Sequence, residues 1–559
     1  MDSLYKQKGF MRRSFLINNI LIRFVMLLLV FGIFQKPLIG SPLPDVPVKK
    51  QLHQITIKPD SVLGDEEVVI KLSGFEPDQK VTLKAQAGNW RSKAIFKADS
   101  LGNVDLSKQA PISGTYRGID GMGLIWSLKR TDDKTVDRKQ KPYNGDVYKL
   151  PIIRLGKNSR VAKAGLKEND VLVAMDGKPI QNQKELFNRI QNHLESASKS
   201  QQDVTFNIKI ERNGHPLTLP IIVHKEDLSK RWYKGVILGS RLIRIFLIEA
   251  EVEGKVVAST IFKQYDVAAD VTELAVRENG LVGSLFKPGS IGPHPGIIVL
   301  GGASGGIISA SYDAKMLASH GYAALALAYF AYEDLPPWLI NIPLEYFGDA
   351  IQCMENHPAV TSNKIGVLGR SKGGELALLL GATFPKLKAV VAYVPSHVVW
   401  GGGRNMSSWT IKGKPLDFVP LRHIVKFYEH PPIRFTPMFL LSLQNTSAVE
   451  KAVIPVERIN GPVLLISGED DQAWPSTLMS EMVMKRLSRF KHPFPYQHLS
   501  YEGAGHIIIN PYYPTTILHG VHPIFKFDIA YGGNPQDNAF ACKDSWPKVL
   551  QFLKKSLTP

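Results

Sequence analysis

The chain has 559 residues, of which 44% are hydrophobic and 21% are charged, close to ordinary globular composition, which excludes a wholly disordered protein. Its two cysteines exclude a disulfide-rich scaffold, and the sequence has no Cys/His cluster with the spacing of a zinc site, so we expect no metal and no cofactor. The net charge of +18 is not accompanied by a nucleic-acid recognition motif, and we therefore expect no nucleic-acid partner.

The chain begins with a basic stretch that precedes an apolar one. Basic residues in 6–13 are followed by an uninterrupted apolar run at 24–34. A run of this length suits the core of a signal peptide, because a membrane-spanning helix needs about 20 apolar residues. We predict that 1–40 is a signal peptide or signal anchor that contacts a membrane, and that the protein is periplasmic or otherwise extracytoplasmic. A cytoplasmic protein is the alternative. The proline-rich residues 41–52 read as a linker.

Two segments show the alternation of apolar and polar residues that is typical of antiparallel strands. In 53–135, runs such as EVVIKLSG and KVTLKAQ are separated by Gly, Pro and Asp turns. The same alternation returns over 235–288 in LIRIFLIEAEVEGKVVAST and VTELAVRENGLVGSLFKP. The simplest interpretation is one β-sandwich whose strands come from both segments.

Between these segments, residues 140–226 resemble a PDZ domain. VAKAGLKENDVLVAMDGKPI is followed by a helical ELFNRIQNHL and by VTFNIKIERNGHPLTLPIIV. Asp176-Gly177 predicts a tight turn, and Asn213-Gly214 predicts a hairpin turn between the last two strands. PDZ domains bind extended peptides at a sheet edge, so this insertion predicts a peptide or protein ligand. A PDZ-like spacer without a ligand is the alternative.

From residue 289 the pattern changes to apolar strands alternating with helices. GIIVLGG, AALALAYF, KIGVLGRS and PVLLISGED are short runs rich in Val, Ile, Ala and Leu, with helical stretches between them. This pattern predicts a parallel sheet covered by helices on both faces over 289–559. We therefore expect a multidomain chain: an N-terminal β-sandwich interrupted by a PDZ-like α+β domain, followed by a C-terminal α/β domain.

The strongest motif is Gly369-Arg370-Ser371-Lys372-Gly373, which lies between the strand KIGVL and the helix GGELALLLGATF. A G-x-S-x-G motif between a strand and a helix is the nucleophile elbow of α/β-hydrolases, where a tight turn holds the serine hydroxyl clear of the sheet. The motif predicts that Ser371 is the nucleophile and that the C-terminal domain is an α/β-hydrolase.

A nucleophilic serine needs a base, and the base needs an acid that orients it. The strand PVLLISG ends in Glu469-Asp470-Asp471, and the hydrolase pattern G-x-x-D-x-x-[VW]-P points to Asp471 as the acid, with Asp470 as the alternative. The predicted base is His506, which lies in a turn of small residues after the strand-like PYQHLSY.

The oxyanion hole of such an enzyme combines the backbone N–H after the nucleophile with one from a loop after an early strand. These criteria point to Lys372 and to Gly302 and Ala303 in the glycine-rich loop after GIIVL. A flexible turn or a phosphate loop are the alternatives for that loop, and no GK[ST] follows to support the second.

The sequence resembles the acyl-CoA thioesterase / bile acid-CoA:amino acid N-acyltransferase family. The resemblance rests on FKADSLGNVDL and SGTYRGIDGMGLIWSL in the N-terminal half, and on GRSKGGELALLL, GEDDQAW and GAGHIIINPYYP in the C-terminal half. It implies that Ser371, Asp471 and His506 cleave fatty acyl-CoA to a free fatty acid and CoA through an acyl-enzyme. The PDZ-like insertion and the export segment depart from the family's usual plan.

The resemblance leaves several functions open. Family members with cysteine as nucleophile resemble amino-acid acyltransferases, and Ser371 therefore favours water as the acyl acceptor. An acyl-CoA:amino acid N-acyltransferase remains one alternative. The export segment favours another, a carboxylesterase or amidase that acts on an ester or amide. A non-catalytic binding protein is a minor alternative.

Overall fold

The structure is a computed structural model, and the residues it describes are 52–131, 146–155, 164–167, 170–180, 203–212, 215–223, 236–238, 241–403, 405–423 and 430–557, with short pieces between 185 and 193 and residue 428. The predicted signal segment and the Asn213-Gly214 turn lie outside these residues. Among the described residues, no helix has the length and apolar character needed to cross a membrane. Within the same ranges, no group of His, Cys, Asp and Glu could hold a metal ion.

The first part of the chain consists of short strands and one short helix, α1 (Gly123–Trp126). The strands are β1 (Gln54–Lys58), β2 (Ser61–Leu63), β3 (Val69–Ser73), β4 (Lys80–Ala87), β5 (Trp90–Lys97), β6 (Val104–Asp105), β7 (Ser113–Gly114) and β8 (Lys129–Arg130). Strands β1, β3 and β6 form one antiparallel sheet. Buried and less buried residues alternate along β4, as expected for a strand with one face on a core.

The next strands extend a second, larger sheet that includes β4 and β5. They are β9 (Asp146–Leu155), β10 (Val171–Met175), β11 (Lys178–Pro179), β12 (Val204–Arg212), β13 (His215–Val223), β14 (Val236–Leu238), β15 (Arg241–Val252) and β16 (Lys255–Tyr265). Strand β15 pairs with β16, β4 and β9. The turn between β10 and β11 is formed by Asp176 and Gly177, both with positive φ, as the sequence predicts.

Strand β9 belongs to two parts of this sheet at once. Its first residues pair with β15, where Tyr148 is opposite Leu242. Two residues later Leu150 is opposite Leu172 in β10, which in turn pairs with β12. One continuous strand therefore joins the region of 171–223 to the sheet of β4 and β15.

The two N-terminal sheets share a hydrophobic core. Ile70 of β3 and Leu83 of β4 are fully buried in the same cluster. Phe246 of β15 and Phe262 of β16 stack in it with ring centroids 4.6 Å apart. Each fully buried side chain of this size contributes about 1.5–3 kcal/mol, so the packing of these faces holds the sheets together.

The second half of the chain contains strands β17 (Thr272–Val276), β18 (Val282–Lys287), β19 (His294–Leu300), β20 (Ala323–Ala328), β21 (Ile342–Pro343), β22 (Val360–Arg370), β23 (Leu387–Tyr393), β24 (Gly401–Gly403), β25 (Met406–Ser407), β26 (Trp409–Ile411), β27 (Lys414–Pro415), β28 (Val463–Gly468), β29 (Tyr496–Tyr501), β30 (His519–Val521) and β31 (Asp528–Ala530). Its helices are α2 (Ile308–Ser319), α3 (Leu344–Asn356), α4 (Lys372–Thr383), α5 (Thr436–Ser442), α6 (Thr446–Ala452), α7 (Ser476–Arg489) and α8 (Pro535–Leu557), with a 3₁₀ turn at Val456–Arg458.

Eight of these strands form one sheet in the order β17-β18-β20-β19-β22-β23-β28-β29. The six strands from β20 to β29 in this order are parallel. Along β19, Ile297 and Val299 enter a core with α2 and α8, whereas Ile298 and Leu300 enter a core with α3, α4 and α7. The sheet is thus covered on both faces, which confirms the predicted α/β architecture.

The prediction that the β-sandwich extends to residue 288 is wrong for its last two strands. Strand β18 pairs antiparallel with β20, and β17 pairs with β18, so both belong to the eight-stranded sheet. Five of the six residues of β18 are buried, as expected for a strand covered on both faces. The short alternation of apolar and polar residues in this segment resembles that of a strand with only one buried face, and the sequence pattern therefore assigns it to the sandwich.

Candidate active site

Ser371 lies in a strained turn between β22 and α4. Its φ of 57° and ψ of −122° fall where residues with a side chain are rarely found, and such strain concentrates at functional sites. Its backbone N–H donates a hydrogen bond to the carbonyl oxygen of Tyr393, the last residue of β23, over 2.9 Å. This bond fixes the turn at the carboxyl edge of the sheet.

The glycines of the motif are required by close backbone approaches. A Cβ on Gly369 would lie 1.9 Å from the carbonyl oxygen of Gly373. A Cβ on Gly373 would lie 2.4 Å from the carbonyl oxygen of Gly301. Only glycine fits both positions, so the G-x-S-x-G spacing reflects the tightness of the turn and its contact with the glycine-rich loop.

The structure brings together the three side chains that the sequence predicts as a triad. The Ser371 Oγ lies 2.9 Å from Nε2 of His506, and Nδ1 of His506 lies 2.8 Å from Oδ2 of Asp471. His506 is 9% exposed and Asp471 is 5% exposed, so water is largely excluded from the contacts between them. This geometry allows the imidazole to accept the serine proton while the carboxylate orients the ring.

The two candidate acids, Asp471 and Asp470, have different hydrogen-bond partners. Asp471 Oδ1 accepts hydrogen bonds from the backbone of Ala473 and Trp474 at 3.0 and 3.2 Å, and Oδ2 accepts one from Ser476 Oγ at 2.6 Å. Asp470 accepts hydrogen bonds from Gly533 N at 2.8 Å and from Gln472 Nε2 at 3.1 Å. Asp471 is thus the carboxylate that contacts the imidazole.

Glu469, the third carboxylate of this group, accepts a hydrogen bond from Ser500 Oγ at 2.8 Å.

Segment 531–538, to which the sequence analysis assigns no role in the site, contacts the loops of both the acid and the base. The carbonyl oxygen of Tyr531 accepts a hydrogen bond from His506 N at 2.8 Å, and Asn538 Oδ1 accepts one from Gly505 N at 2.8 Å. Gly532 forms an antiparallel bridge with Asp471. In the sequence, the Gly-Gly pair of GGNPQDN indicates a tight backbone turn at this place, and both glycines have positive φ.

The predicted oxyanion residues lie beside the nucleophile. A Cβ on Gly302 would lie 3.3 Å from Ser371 Cβ and 3.7 Å from its Oγ. Ala303 follows in a turn closed by a 3.2 Å hydrogen bond from Gly305 N to the carbonyl oxygen of Gly302. Lys372 is the first residue of α4, where backbone N–H groups lack partners within the helix and the helix dipole favours negative charge.

Two buried ion pairs, which the sequence analysis also missed, flank Ser371. Arg370 binds Asp313 of α2, with 2.6 Å between Nε and Oδ2. Lys372 Nζ lies 2.7 Å from Glu375 Oε1, and these residues are 5% and 0% exposed. Burial lowers the pKa of Lys372 and raises that of Glu375, while the attraction between the two charges opposes both changes.

An apolar wall lies beside the histidine. The ring centroid of Trp474 lies 6.1 Å from that of His506 and 5.8 Å from that of Phe439. Trp400 contacts the same phenylalanine at 4.7 Å. Trp474 and Trp400 are 5% and 3% exposed and belong to one apolar cluster, so the imidazole is backed by packed aromatic side chains.

The eight-stranded sheet, the strained serine elbow and the carboxylate–imidazole–hydroxyl contacts define an α/β-hydrolase. The sequence matches the family description "Acyl-CoA thioester hydrolase/BAAT N-terminal region" over residues 65–169 and "BAAT / Acyl-CoA thioester hydrolase C terminal" over residues 342–559. The chain belongs to this family, as its motifs predict.

Similar proteins include thioesterases and acyltransferases. The chain is 27% identical over 498 residues to rat acyl-coenzyme A thioesterase 1, covering 88% of this chain and 94% of the relative. It is 28% identical over 517 residues to mouse acyl-coenzyme A amino acid N-acyltransferase 2, covering 90% and 98%. Among solved structures, a dienelactone hydrolase-like phosphotriesterase from metagenomic libraries is 20% identical, with a TM-score of 0.32 and coverage of 51% of this chain and 98% of that one.

Proposed function

We propose that the protein is a serine hydrolase that cleaves acyl thioesters, converting fatty acyl-CoA to free fatty acid and CoA. The observation that carries the proposal is the chain of contacts from Ser371 Oγ through His506 to Asp471, with distances of 2.9 and 2.8 Å. Family membership supports the thioester as the bond that is attacked, because both matched descriptions name acyl-CoA thioester hydrolases.

In the first half of the proposed reaction, His506 Nε2 accepts the proton of Ser371 as the hydroxyl oxygen attacks the thioester carbonyl carbon. The oxyanion that forms would be stabilised by the backbone N–H groups of Lys372 and of Gly302 or Ala303. The carbon–sulfur bond then breaks, and the sulfur leaves as a thiol after it takes the proton from His506. An acyl ester on the serine remains.

In the second half, water replaces the thiol. His506 removes a proton from water, whose oxygen attacks the acyl-enzyme carbonyl carbon. The bond to Ser371 Oγ breaks, the serine recovers its proton from the imidazole, and the carboxylic acid is released. The carboxylate of Asp471 stays ionised and stabilises the imidazolium in both halves.

The second candidate function is transfer of the acyl group to an amino acid. It is favoured by the similarity to the mouse acyl-coenzyme A amino acid N-acyltransferase 2. In that reaction glycine, taurine or a related amine would attack the acyl-enzyme instead of water. A serine rather than a cysteine at position 371 favours hydrolysis over this transfer. The third candidate function is an esterase or amidase activity of the same site.

The test uses purified protein and a Ser371→Ala control. Thiol release from acyl-CoAs of several chain lengths is followed with and without glycine or taurine, alongside release from a simple aryl ester. Serine-dependent thiol release with free fatty acid as product would support the thioesterase. Conjugate formation would shift the conclusion to the acyltransferase, and ester cleavage without thioester turnover would shift it to the esterase.

We further propose that residues 1–40 export the protein or anchor it to a membrane, because of their basic and apolar pattern. We also propose that 140–226 is a PDZ-like module inserted in a β-sandwich, supported by the antiparallel strands from β10 to β13. A fusion of 1–40 to a reporter tests export. Titration of the full chain with a library of C-terminal peptides tests the module, and the lack of any binder would favour a spacer.

A further inference from the structure

Arg370, the residue immediately before the nucleophile, forms a two-point contact with a carboxylate. Its Nε lies 2.6 Å from Asp313 Oδ2, and its Nη2 lies 3.0 Å from Asp313 Oδ1. The two side chains are 14% and 6% exposed. A paired fork of this kind fixes the plane of the guanidinium group, which a lysine ammonium cannot do.

The third nitrogen of the Arg370 guanidinium contacts the loop that carries His506. This Nη1 donates a hydrogen bond to the carbonyl oxygen of Ile508, two residues after His506. The guanidinium carbon also lies 3.8 Å from the centroid of the Tyr393 ring. Since the carbonyl oxygen of Tyr393 accepts the Ser371 N–H, one side chain contacts both the serine turn and the loop that carries the base.

The ion pair between Arg370 and Asp313 also links Arg370 to the side of the site where the predicted oxyanion residues lie. Asp313 lies in α2, which follows the loop containing Gly302 and Ala303. Burial lowers the pKa of Arg370, but Asp313, Tyr393 and Cys542 together raise it above its ordinary value, so the guanidinium stays charged. A group that keeps its proton cannot act as an acid or base in the reaction, and any contribution it makes is geometric.

We infer that Arg370, oriented by Asp313, is a positioning residue that sets the distance between the Ser371 hydroxyl and the His506 imidazole. The inference rests on the proposed function, because it presumes that these two groups react. One side of the histidine loop is held by the Tyr531 carbonyl, and Arg370 holds the other side through Ile508. Ile509 N also donates a hydrogen bond to Cys542 Sγ at 3.3 Å, but the contact from Arg370 is the charge-assisted one on this side. Without it the loop can shift, and a displacement of about 1 Å at a catalytic group can cost about 10²-fold in rate.

The experiment compares Arg370→Met, Arg370→Lys and Asp313→Asn in the full chain. The matched control is Arg277→Met, which removes a two-point ion pair with Glu333, 2.9 Å from Nε to Oε2 and 2.7 Å from Nη2 to Oε1. Arg277 follows β17, the edge strand of the sheet, whereas β22 is in its interior. Each variant is assayed for kcat and KM with an acyl-CoA, for the rate at which a fluorophosphonate labels Ser371, and for its thermal unfolding midpoint.

We expect Arg370→Met to lower kcat and the labelling rate together by about 10²-fold, with KM changed by less than about threefold. Arg370→Lys keeps the charge but not the fork, and Asp313→Asn keeps the shape but weakens the fork, so both should fall between Arg370→Met and the wild type. Arg277→Met should keep the wild-type kcat and labelling rate, whatever its unfolding midpoint.

Labelling separates this inference from the proposed function. A wild type that is labelled but does not hydrolyse acyl-CoA overturns the thioesterase proposal, and the labelling rates of the variants still test Arg370. Variants at Arg370 that are labelled at the wild-type rate, with only a lower unfolding midpoint, overturn the positioning role. If Arg370→Met does not fold, Arg370→Lys and Asp313→Asn decide the question by the same criterion.

Discussion

Lys372 and Glu375 form a buried ion pair in the first turn of the helix that starts directly after the nucleophile. The ammonium also donates a hydrogen bond to the Trp400 carbonyl oxygen at 2.7 Å, and the carboxylate accepts one from Trp409 Nε1 at 2.9 Å. The pair therefore joins α4 to the chain that follows β23. A buried pair is weak evidence for net stability, yet removing one partner is costly because the other charge stays buried.

The first prediction concerns this pair. Glu375→Gln should lower the free energy of unfolding by about 3–5 kcal/mol, because it leaves the Lys372 ammonium buried without a counter-charge. Urea unfolding at pH 7 measures the change. Asp78→Asn, which breaks an exposed pair with Lys97 (2.8 Å), should have little effect. Equal losses in both variants would contradict the assigned cost of burial. A Lys372→Met/Glu375→Leu double variant should recover only part of the lost stability, because the Trp400 carbonyl and Trp409 Nε1 lose these partners.

The second prediction separates the two candidate acids. Asp471→Asn should lower kcat by about 10³–10⁴-fold, because the neutral amide no longer stabilises the imidazolium or fixes its tautomer. Asp470→Asn is the matched control and should change kcat only a few-fold, since that carboxylate does not contact the imidazole. Thiol release at saturating substrate measures both variants. A loss in Asp470→Asn as large as that in Asp471→Asn would refute the assignment of the acid.

The third prediction concerns the contact between the elbow and the glycine-rich loop. Gly373→Ala should lower kcat by about 10²-fold or more, because the added methyl group would push the backbone at Gly301 away from Ser371. Gly121→Ala is the control, since its Cβ would meet no atom closer than 3.8 Å. Steady-state assays of both variants test this, and a fully active Gly373→Ala enzyme would show that the loop tolerates displacement.

The fourth prediction concerns acid stability. Burial lowers the pKa of His397 to about 4, whereas an unfolded histidine titrates near 6.5. The unfolded state therefore binds the proton more readily, and the stability from this residue is present above about pH 6.5 and lost as the pH falls toward 4. At pH 4.5 the free energy of unfolding should be lower by about 2–3 kcal/mol because of this residue.

Chemical unfolding of His397→Leu at pH 7 and pH 4.5 checks this prediction. The variant should lose about 2 kcal/mol less than the wild type between the two values. Ile454→Val is the matched control, because Ile454 N donates a hydrogen bond to the His397 carbonyl oxygen at 2.9 Å and the substitution adds no titratable group. The difference in unfolding free energy between Ile454→Val and the wild type should be the same at both pH values. If His397→Leu loses as much stability as the wild type between pH 7 and pH 4.5, the histidine is not responsible for the loss.

Local patterns in the sequence predict the nucleophile and its partners because the elbow is a short-range structure. Gly369 is needed for its contact with Gly373 inside the turn, and the spacing alone carries that information, whereas the contact of Gly373 with Gly301 is long-range. The acid was ambiguous between Asp470 and Asp471 because neighbouring side chains point in different directions, and the direction depends on the Gly532 bridge that forms over a long sequence separation.

The sequence predicts neither the partner of Arg370 nor the sheet to which β18 belongs. Asp313 precedes Arg370 by 57 residues, and nothing in either local pattern links the two. Strand β18 joins the eight-stranded sheet through β20, which it meets only after the intervening β19 and α2. Pairings of this kind depend on tertiary packing, so alternation within a strand cannot assign them.

The dependence of the acid and the base on segment 531–538 has a consequence for the order of events during synthesis. Ser371, Asp471 and His506 leave the ribosome before this segment, and the N-terminal part of the chain folds first. Until Tyr531, Gly532 and Asn538 have been made, the two loops lack the backbone contacts that hold them. A nascent chain that has not yet released 531–538 therefore carries all three reactive groups without the backbone contacts that hold two of them in place.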